Sequence, residues 1–187
     1  MLKGLIISVK DLFDVKGYKT RGGSKFLNPD ICLKDAECIS LIRKAGGLLI
    51  GHTNMTELAY SGLGINPHYG TPLNPIYKGA IPGGSTSGGA VSISLDISDI
   101  TIGTDTGGST RIPAAFTGIT GFKPTQDVIS RKGVLVLSSS LDSVGLMAKN
   151  IKRYTTLLGK LRANTGHKVA RTLDYLLNLT IALEAYN

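Results

Sequence analysis

Short apolar runs recur along the first two thirds of the chain, and each ends in a glycine, a charged residue or a turn. Three of these runs, residues 5–9, 48–50 and 100–104, have the length of buried strands. The first run ends at Lys10 and Asp11. We therefore predict three interior strands, the first of which delivers Lys10 to the edge of the core.

Segments with helical periodicity lie between these strands. Residues 36–45 place Ile39, Leu41 and Ile42 on one side, with Asp35 as the N-terminal cap and Gly46 at the stop. Further helical segments are predicted from Asn54, with Glu57 three residues later, from Gly88-Gly89 to about Leu95, after Ile112-Pro113, and over residues 150–161. Strand alternating with helix predicts an α/β fold.

Glycine is both abundant and clustered. It accounts for 24 of the 187 residues, with pairs at Gly83-Gly84, Gly88-Gly89 and Gly107-Gly108. Such pairs mark places where the backbone needs unusual dihedral angles or comes very close to a ligand. Residues 62–86 form a long loop with four prolines, and loops of that length are usually functional or disordered. Both features predict a site built around the glycine pairs.

The net charge of +8 raises the question of a nucleic-acid partner. Residues 1–150 hold 15 Lys and Arg against 11 Asp and Glu, and residues 151–187 hold 6 against 2, so half of the excess lies in the last 37 residues. No basic stripe is interleaved with aromatic residues for base stacking. Nucleic-acid binding is therefore not expected as the main function.

Cysteine and histidine usage predicts neither a disulfide framework nor a metal site. Cys32 and Cys38 are the only cysteines, and Cys38 falls on the apolar side of the first helix, as expected of a buried, reduced thiol. His52, His68 and His167 are isolated, so no metal ligand set and no cofactor are predicted. No run approaches an 18-residue membrane span or a signal-peptide core, which favours a cytoplasmic protein without membrane contact.

Lys10 allows two interpretations. Lowering the pKa of a lysine from about 10.4 to about 7 requires roughly 4–5 kcal/mol of unfavourable environment, and the neutral amine is then a competent general base. The alternative is a solvated lysine at the strand end, paired with Asp11, which spacing alone favours.

Ser109 follows a predicted strand and two residues without side chains. The successive N–H groups of such a turn can hold the oxyanion of a tetrahedral intermediate, and a serine beside them is an accessible nucleophile. The alternative is a glycine-rich turn with a helix-capping serine.

Ser85 lies between glycine pairs that permit a strained backbone, such as a non-proline cis peptide. A phosphate-binding loop is disfavoured, because the Lys-Ser/Thr ending of a Walker A loop is missing. The G-x-S-x-G elbow of α/β-hydrolases is also missing, and no histidine is embedded in a motif. If Ser109 is a nucleophile, the favoured base is Lys10 acting through Ser85.

Six segments of the chain carry a family resemblance: residues 9–17, 53–59, 82–90, 103–115, 118–125 and 140–145. Together they resemble the amidase signature family, over about residues 3–161. The resemblance implies a mixed β-sheet core flanked by helices and a small-molecule amide as substrate. A homodimer is left open, and nucleic-acid contact is expected only for a member of a tRNA amidotransferase complex.

The resemblance also implies a Ser–cis-Ser–Lys triad. Ser109 would attack an amide carbonyl, while Ser85, held by a cis peptide after Gly84, would relay its proton to a neutral Lys10. The separations along the chain, 24 residues between the serines and 75 between Ser85 and Lys10, agree with the family. The oxyanion would be held by N–H groups of four residues: Thr106, Gly107, Gly108 and Ser109. Arg111, with Gly84 and Asp105, would organise the site or meet a substrate carboxylate, and a structural salt bridge fits equally well.

The chain departs from the family in two respects. Thr86 replaces a serine that is common after the cis-serine, but it keeps a hydroxyl. Family members also carry a helical segment before the lysine strand and a long C-terminal part. We therefore expect a truncated member, with residues 1–161 as a partial catalytic core and 162–187 as a basic tail. An amide hydrolase is favoured, and the alternatives are a glutamine amidotransferase of the kind that amidates glutamyl-tRNA and a non-catalytic remnant.

Overall fold

The computed structural model describes residue 2 and residues 4–161. The basic segment 162–187, predicted as a separate tail, lies outside the described residues. Within them, no helix is both long enough and apolar enough to cross a membrane.

A five-stranded mixed sheet forms the centre of the molecule. Its strands are β1 (Ile6–Lys10), β2 (Leu48–Thr53), β3 (Ile100–Asp105), β4 (Thr120–Phe122) and β5 (Ser143–Ala148). They lie in the order β2-β1-β3-β5-β4. Strand β1 pairs in parallel with both β2 and β3, whereas β5 runs antiparallel to β3 and β4. The predicted α/β fold with a mixed sheet is confirmed.

Helices cover both faces of the sheet. They are α1 (Glu37–Lys44), α2 (Ser87–Ser94), α3 (Arg111–Phe116) and α4 (Ile151–Leu161). Helices α1 and α4 pack on each other and share the main apolar core with alternate residues of the strands, among them Ile7, Val9, Ile102 and Leu146. Helices α2 and α3 cover the opposite face, where Met147 packs with Ala90 and Ala114. This alternation follows from the two-residue period of strand side chains.

Most of the predicted elements are confirmed in position, with changes at their ends. The strand predicted over 48–50 continues to Thr53, but the prediction that it is an interior strand is wrong, because β2 lies at the edge of the sheet and Leu48 and Ile50 are 56% and 50% exposed. Cys38 is fully buried in α1, where burial raises the pKa of its thiol to about 12. The prediction of Asp35 as a helix cap is wrong. Its carboxylate accepts instead from the Lys16 amide and from Arg43 Nε, so it ties α1 to an earlier loop.

The helix predicted from Asn54 is also wrong. Only a single 3-10 turn, Glu57–Ala59, forms there, because Leu58 and Ala59 have positive φ angles of 49° and 61°. The Asn54 side chain bonds the Met55 amide and the Gly70 carbonyl instead of starting a helix. The long loop of residues 62–86 is confirmed, and it contains neither helix nor strand.

Candidate active site

The candidate residues gather at the carboxyl ends of the parallel strands. Lys10 is the last residue of β1, and Asp105 is the last residue of its parallel neighbour β3. The carboxyl ends of parallel strands meet at one edge of a sheet, which is where open α/β sheets bind ligands. Two loops come to this edge, one carrying Ser85 before α2 and the other carrying Ser109 before α3.

Lys10 is fully buried, and its amine contacts two hydroxyl groups. Its Nζ donates to Ser85 Oγ at 2.7 Å and to Thr104 Oγ1 at 2.9 Å. Burial lowers the pKa of Lys10 from 10.5 to about 7, although the negative charges of Asp105 and Asp142 act in the opposite direction. The interpretation of Lys10 as a solvated lysine is therefore wrong.

Asp11, the partner suggested by that interpretation, is turned away from the amine. Its carboxylate accepts from the amides of Arg21 and Gly23 and lies 3.3 Å from His52 Nδ1. The nearest carboxylate in the sequence is thus occupied elsewhere.

Ser85 is fully buried, and the peptide bond between Gly84 and Ser85 is cis. The surrounding backbone comes very close to Gly84: a Cβ atom there would lie 2.6 Å from the Gly64 nitrogen and 2.7 Å from Thr56 Oγ1. The carbonyl of Ser85 accepts from the Thr56 amide at 3.1 Å. Close approach explains why glycine precedes this serine.

Ser109 lies on the neighbouring loop, which is hydrogen-bonded to the chain that carries Ser85. The Thr86 amide donates to the Ser109 carbonyl at 3.2 Å, so the residue after Ser85 is held against Ser109. Ser109 is 8% exposed, whereas Ser85 and Lys10 are fully enclosed. The structure therefore places Ser109 next to the chain that carries Ser85, whose hydroxyl in turn contacts the Lys10 amine.

Asp105, at the end of β3, holds the Ser109 loop in place through hydrogen bonds. Its carboxylate is inaccessible and accepts from the amides of Gly108 and Thr110, and from Nε and Nη2 of Arg111 at 3.0 and 2.9 Å. Burial alone raises the pKa of this carboxyl, but the hydrogen bonds from Arg111 and Thr110 outweigh it and hold the pKa below its usual range. Of the roles considered for Arg111, the structure displays the bidentate salt bridge, which fixes the loop.

For one of the four predicted oxyanion donors, Gly108, the prediction is wrong. The Gly108 amide donates to Asp105 Oδ1 at 2.8 Å, so its hydrogen points into the loop and not toward a ligand. The amides of Thr106, Gly107 and Ser109 have no acceptor among the residues that the structure describes. Gly107 is exposed, and a Cβ atom on it would meet nothing within 4 Å.

Sequence reasoning missed two residues of this site. Thr104 holds the Lys10 amine, and Asp142, which is 5% exposed, accepts from the Thr106 hydroxyl at 2.6 Å. Both lie within segments that carry the family resemblance, which was the available signal. Their roles depend on contacts with residues 94 and 36 positions away, which no local pattern reports.

Comparison of the sequence with known proteins identifies a family. A family model described as Amidase matches residues 1–172. Amidase 1 of Arabidopsis thaliana is 43% identical over 155 residues, covering 80% of this chain and 36% of the plant protein. A glutamyl-tRNA(Gln) amidotransferase subunit of Chromohalobacter salexigens is 42% identical over 168 residues, covering 90% of this chain and 34% of that protein.

Solved structures agree with the sequence comparison. The crystal structure of an amidase superposes with a TM-score of 0.82 at 42% identity, covering 86% of this chain and 37% of that one. The chain thus spans about a third of the length of the relatives that it matches. Because the family model covers nearly the whole sequence and the fold agrees, the chain belongs to the amidase family.

Proposed function

We propose that this chain carries the catalytic groups of an amide-cleaving enzyme, with Ser109 as nucleophile, Ser85 as proton relay and Lys10 as general base. The contact between the buried Lys10 amine and Ser85 Oγ, at 2.7 Å, carries this proposal. An amine whose pKa is about 7 is half neutral at neutral pH, and only the neutral form can accept a proton.

The chemistry has two halves. In the first, Lys10 Nζ accepts the Ser85 proton while Ser85 Oγ accepts the Ser109 proton, and Ser109 Oγ attacks the amide carbonyl. The tetrahedral oxyanion is held by the amides of Thr106, Gly107 and Ser109. The C–N bond then breaks, and the proton returns along the same path to the departing nitrogen, leaving an acyl-enzyme.

In the second half, water attacks the ester of Ser109. Lys10 and Ser85 again accept and return one proton, and the carboxylic acid leaves with Ser109 restored. Three protein groups thus perform both steps without a cofactor in the scheme.

A second candidate function rests on the amidotransferase relatives. The glutamyl-tRNA(Gln) amidotransferase subunit of Chromohalobacter salexigens is 42% identical over 90% of this chain. In such an enzyme the same acyl-enzyme would form from glutamine, and the ammonia would pass to a second substrate and not to solvent. Glutamine as the preferred amide, among a panel of amides assayed for ammonia release, would favour this candidate over a general amidase.

The proposal predicts that Ser109 reacts with an active-site phosphonylating reagent. Incubation with a fluorophosphonate probe should label the chain at Ser109, as mapped by peptide mass spectrometry, and Ser109→Ala should abolish the labelling. Lys10→Ala should slow the labelling by about 100-fold or more, because a positioned general base contributes at least that factor.

The matched control is Ser94→Ala, which removes a hydroxyl at the end of α2 that donates to the Thr117 carbonyl and contacts no residue of the proposed triad. Its labelling rate should equal that of the unmodified chain. A folded chain that takes up no probe, or Ser109→Ala protein labelled as fast as the parent, would contradict the proposal and favour a non-catalytic remnant.

A further inference from the structure

A second buried carboxylate, Asp142, lies at the same edge of the sheet as the proposed triad. The antiparallel register pairs Asp105 of β3 with Ser143 of β5, so Asp142 stands opposite Thr106, the first residue of the Ser109 loop. Asp142 belongs to a segment of family resemblance, but neither its charge nor its contacts have a part in the chemistry above.

The contacts of Asp142 join two loops. Its Oδ1 accepts from the Thr106 hydroxyl at 2.6 Å, and its Oδ2 accepts from the amides of Leu137 and Ser138 at 2.9 and 3.0 Å. Through Thr106, the carboxylate thus fixes the first residue of the loop whose amides are proposed to hold the oxyanion. The amides of Leu137 and Ser138 in turn hold the preceding loop against the Asp142 carboxylate.

The charge of Asp142 differs from that of Asp105 in how it is compensated. Asp105 forms a bidentate ion pair with Arg111, whereas within the described residues the donors on Asp142 are an uncharged hydroxyl and two amides. The negative charge of Asp142 is therefore the less neutralised of the two.

Two hydroxyls contact the Lys10 amine, and two carboxylates lie at the same edge of the sheet. Ser85 and Thr104 supply the hydroxyls; Asp105, paired with Arg111, ends β3 beside β1, and Asp142 stands just before β5. The negative charges of Asp105 and Asp142 raise the pKa of Lys10 against the larger effect of burial. Without them, the amine would be a weaker base.

We propose that Asp142 is a positioning residue of the amidase site: it holds Thr106, and with it the Ser109 loop, and it places a fixed negative charge at the edge of the sheet where Lys10 ends β1. This inference rests on the proposed function. It assigns Asp142 two effects, one on geometry and one on charge, which separate experiments can measure.

The charge effect is tested without turnover. The Lys10 Cε resonance of ¹³C-lysine-labelled protein, assigned by its loss in Lys10→Met, should titrate with a midpoint near pH 7. In Asp142→Asn the midpoint should fall by roughly half a pH unit to one unit, because removing a nearby negative charge favours the neutral amine. The matched control is Asp127→Asn, which neutralises an exposed carboxylate paired with Arg131. In this variant the Lys10 midpoint should equal that of the parent.

The geometric effect is tested at Thr106. Thr106→Val removes the hydroxyl that Asp142 accepts, whereas Thr106→Ser keeps it. We expect fluorophosphonate labelling of the Val variant to be roughly 10-fold slower than that of the Ser variant, with the same pH midpoint, since a misplaced donor loses transition-state stabilisation.

Both results are required. A Lys10 midpoint that Asp142→Asn leaves unchanged, in protein with the parent's circular dichroism, overturns the inference, and so do equal rates for the Val and Ser variants. If Asp142→Asn does not fold, the Thr106 pair decides. Failure of the proposed function would appear separately, as labelling that survives Ser109→Ala, whereas the Lys10 titration does not depend on labelling.

Discussion

At the scale of single residues, the central feature is an enclosed amine that, among the described residues, has no carboxylate in direct contact. A carboxylate touching Lys10 would favour the ammonium form and raise its pKa. The structure places hydroxyls of Ser85 and Thr104 at the amine instead, and keeps Asp105 engaged with Arg111. Lowering the pKa from 10.5 to about 7 corresponds to about 5 kcal/mol, which burial supplies.

This environment predicts the pH dependence of the reaction. Below pH 7 Lys10 is an ammonium ion and cannot accept the Ser85 proton, so the labelling rate should fall about tenfold per pH unit. Above pH 7 the amine is neutral and the rate should level off. The measurement is the second-order rate constant for the fluorophosphonate from pH 5.5 to 9, with Lys10→Ala as the slow reference. A rate that stays flat across that range would argue against lysine as the base.

At the scale of elements, the site depends on loops that approach each other more closely than side chains permit. The loop of residues 62–86 touches its own beginning: the Gly84 amide donates to the Gly62 carbonyl at 2.8 Å, and Gly64 packs against Gly83 and Gly84. The Ser109 loop has more room at its tip, around Gly107. Close approach of the backbone requires glycine at position 84. At the tip of the Ser109 loop, Gly107 instead leaves the neighbouring backbone amides accessible.

Two alanine substitutions separate these roles. Gly84→Ala should lower the free energy of unfolding by about 1–3 kcal/mol or more, because its Cβ would lie 2.6 Å from the Gly64 backbone nitrogen. Gly107→Ala, whose Cβ meets no atom within 4 Å, should leave that free energy within about 0.5 kcal/mol of the parent. Urea denaturation of both proteins checks the pair, and equal unfolding midpoints would contradict the close-approach argument.

At the scale of the whole molecule, the two faces of the sheet are held by different chemistry. The face under α1 and α4 is apolar, and Tyr154 of α4 packs its ring against Phe122 of β4, with centroids 4.9 Å apart. The face under α2 contains a buried cluster of hydroxyls from three elements, in which Ser8 of β1 bonds both Ser92 of α2 and Thr101 of β3. Hydrogen bonds thus seat the helix that begins just after Ser85.

Tyr154 provides a test of the apolar face. Its ring is buried, and its hydroxyl has no hydrogen-bond partner within the part of the chain that the structure describes. Burial accordingly raises the pKa of this phenol. Tyr154→Phe should raise the free energy of unfolding by about 1 kcal/mol, since it removes an unsatisfied polar group and keeps the ring.

The matched control is the same substitution at Tyr60, which is 82% exposed and should change the unfolding free energy by less than about 0.5 kcal/mol. A loss of stability in Tyr154→Phe would show that the hydroxyl has a stabilising partner.

Much of the fold could be predicted because it follows from local patterns in the sequence. The three parallel strands, α1, α2 and α4 follow from apolar runs, periodicity and glycine stops. Strands β4 and β5 escaped prediction. Strand β5, Ser143–Ala148, is buried on both sides and so has no alternation of polar and apolar residues, and β4 is only three residues long. The helix predicted from Asn54 does not form, because the Asn54 side chain donates to the Gly70 carbonyl of the long loop and Leu58 and Ala59 have positive φ angles.

The order of residues along the chain establishes which chemical groups are available: an amine at a strand end, and two serines among glycines. What those groups can do depends on the folded arrangement. It buried Lys10 against hydroxyls 75 and 94 residues away, turned Asp11 toward His52, engaged the Gly108 amide with Asp105 and brought Asp142 to the loop of Ser109. The physical reason is that desolvation and charge depend on every neighbour in space, whereas sequence patterns report only neighbours along the chain.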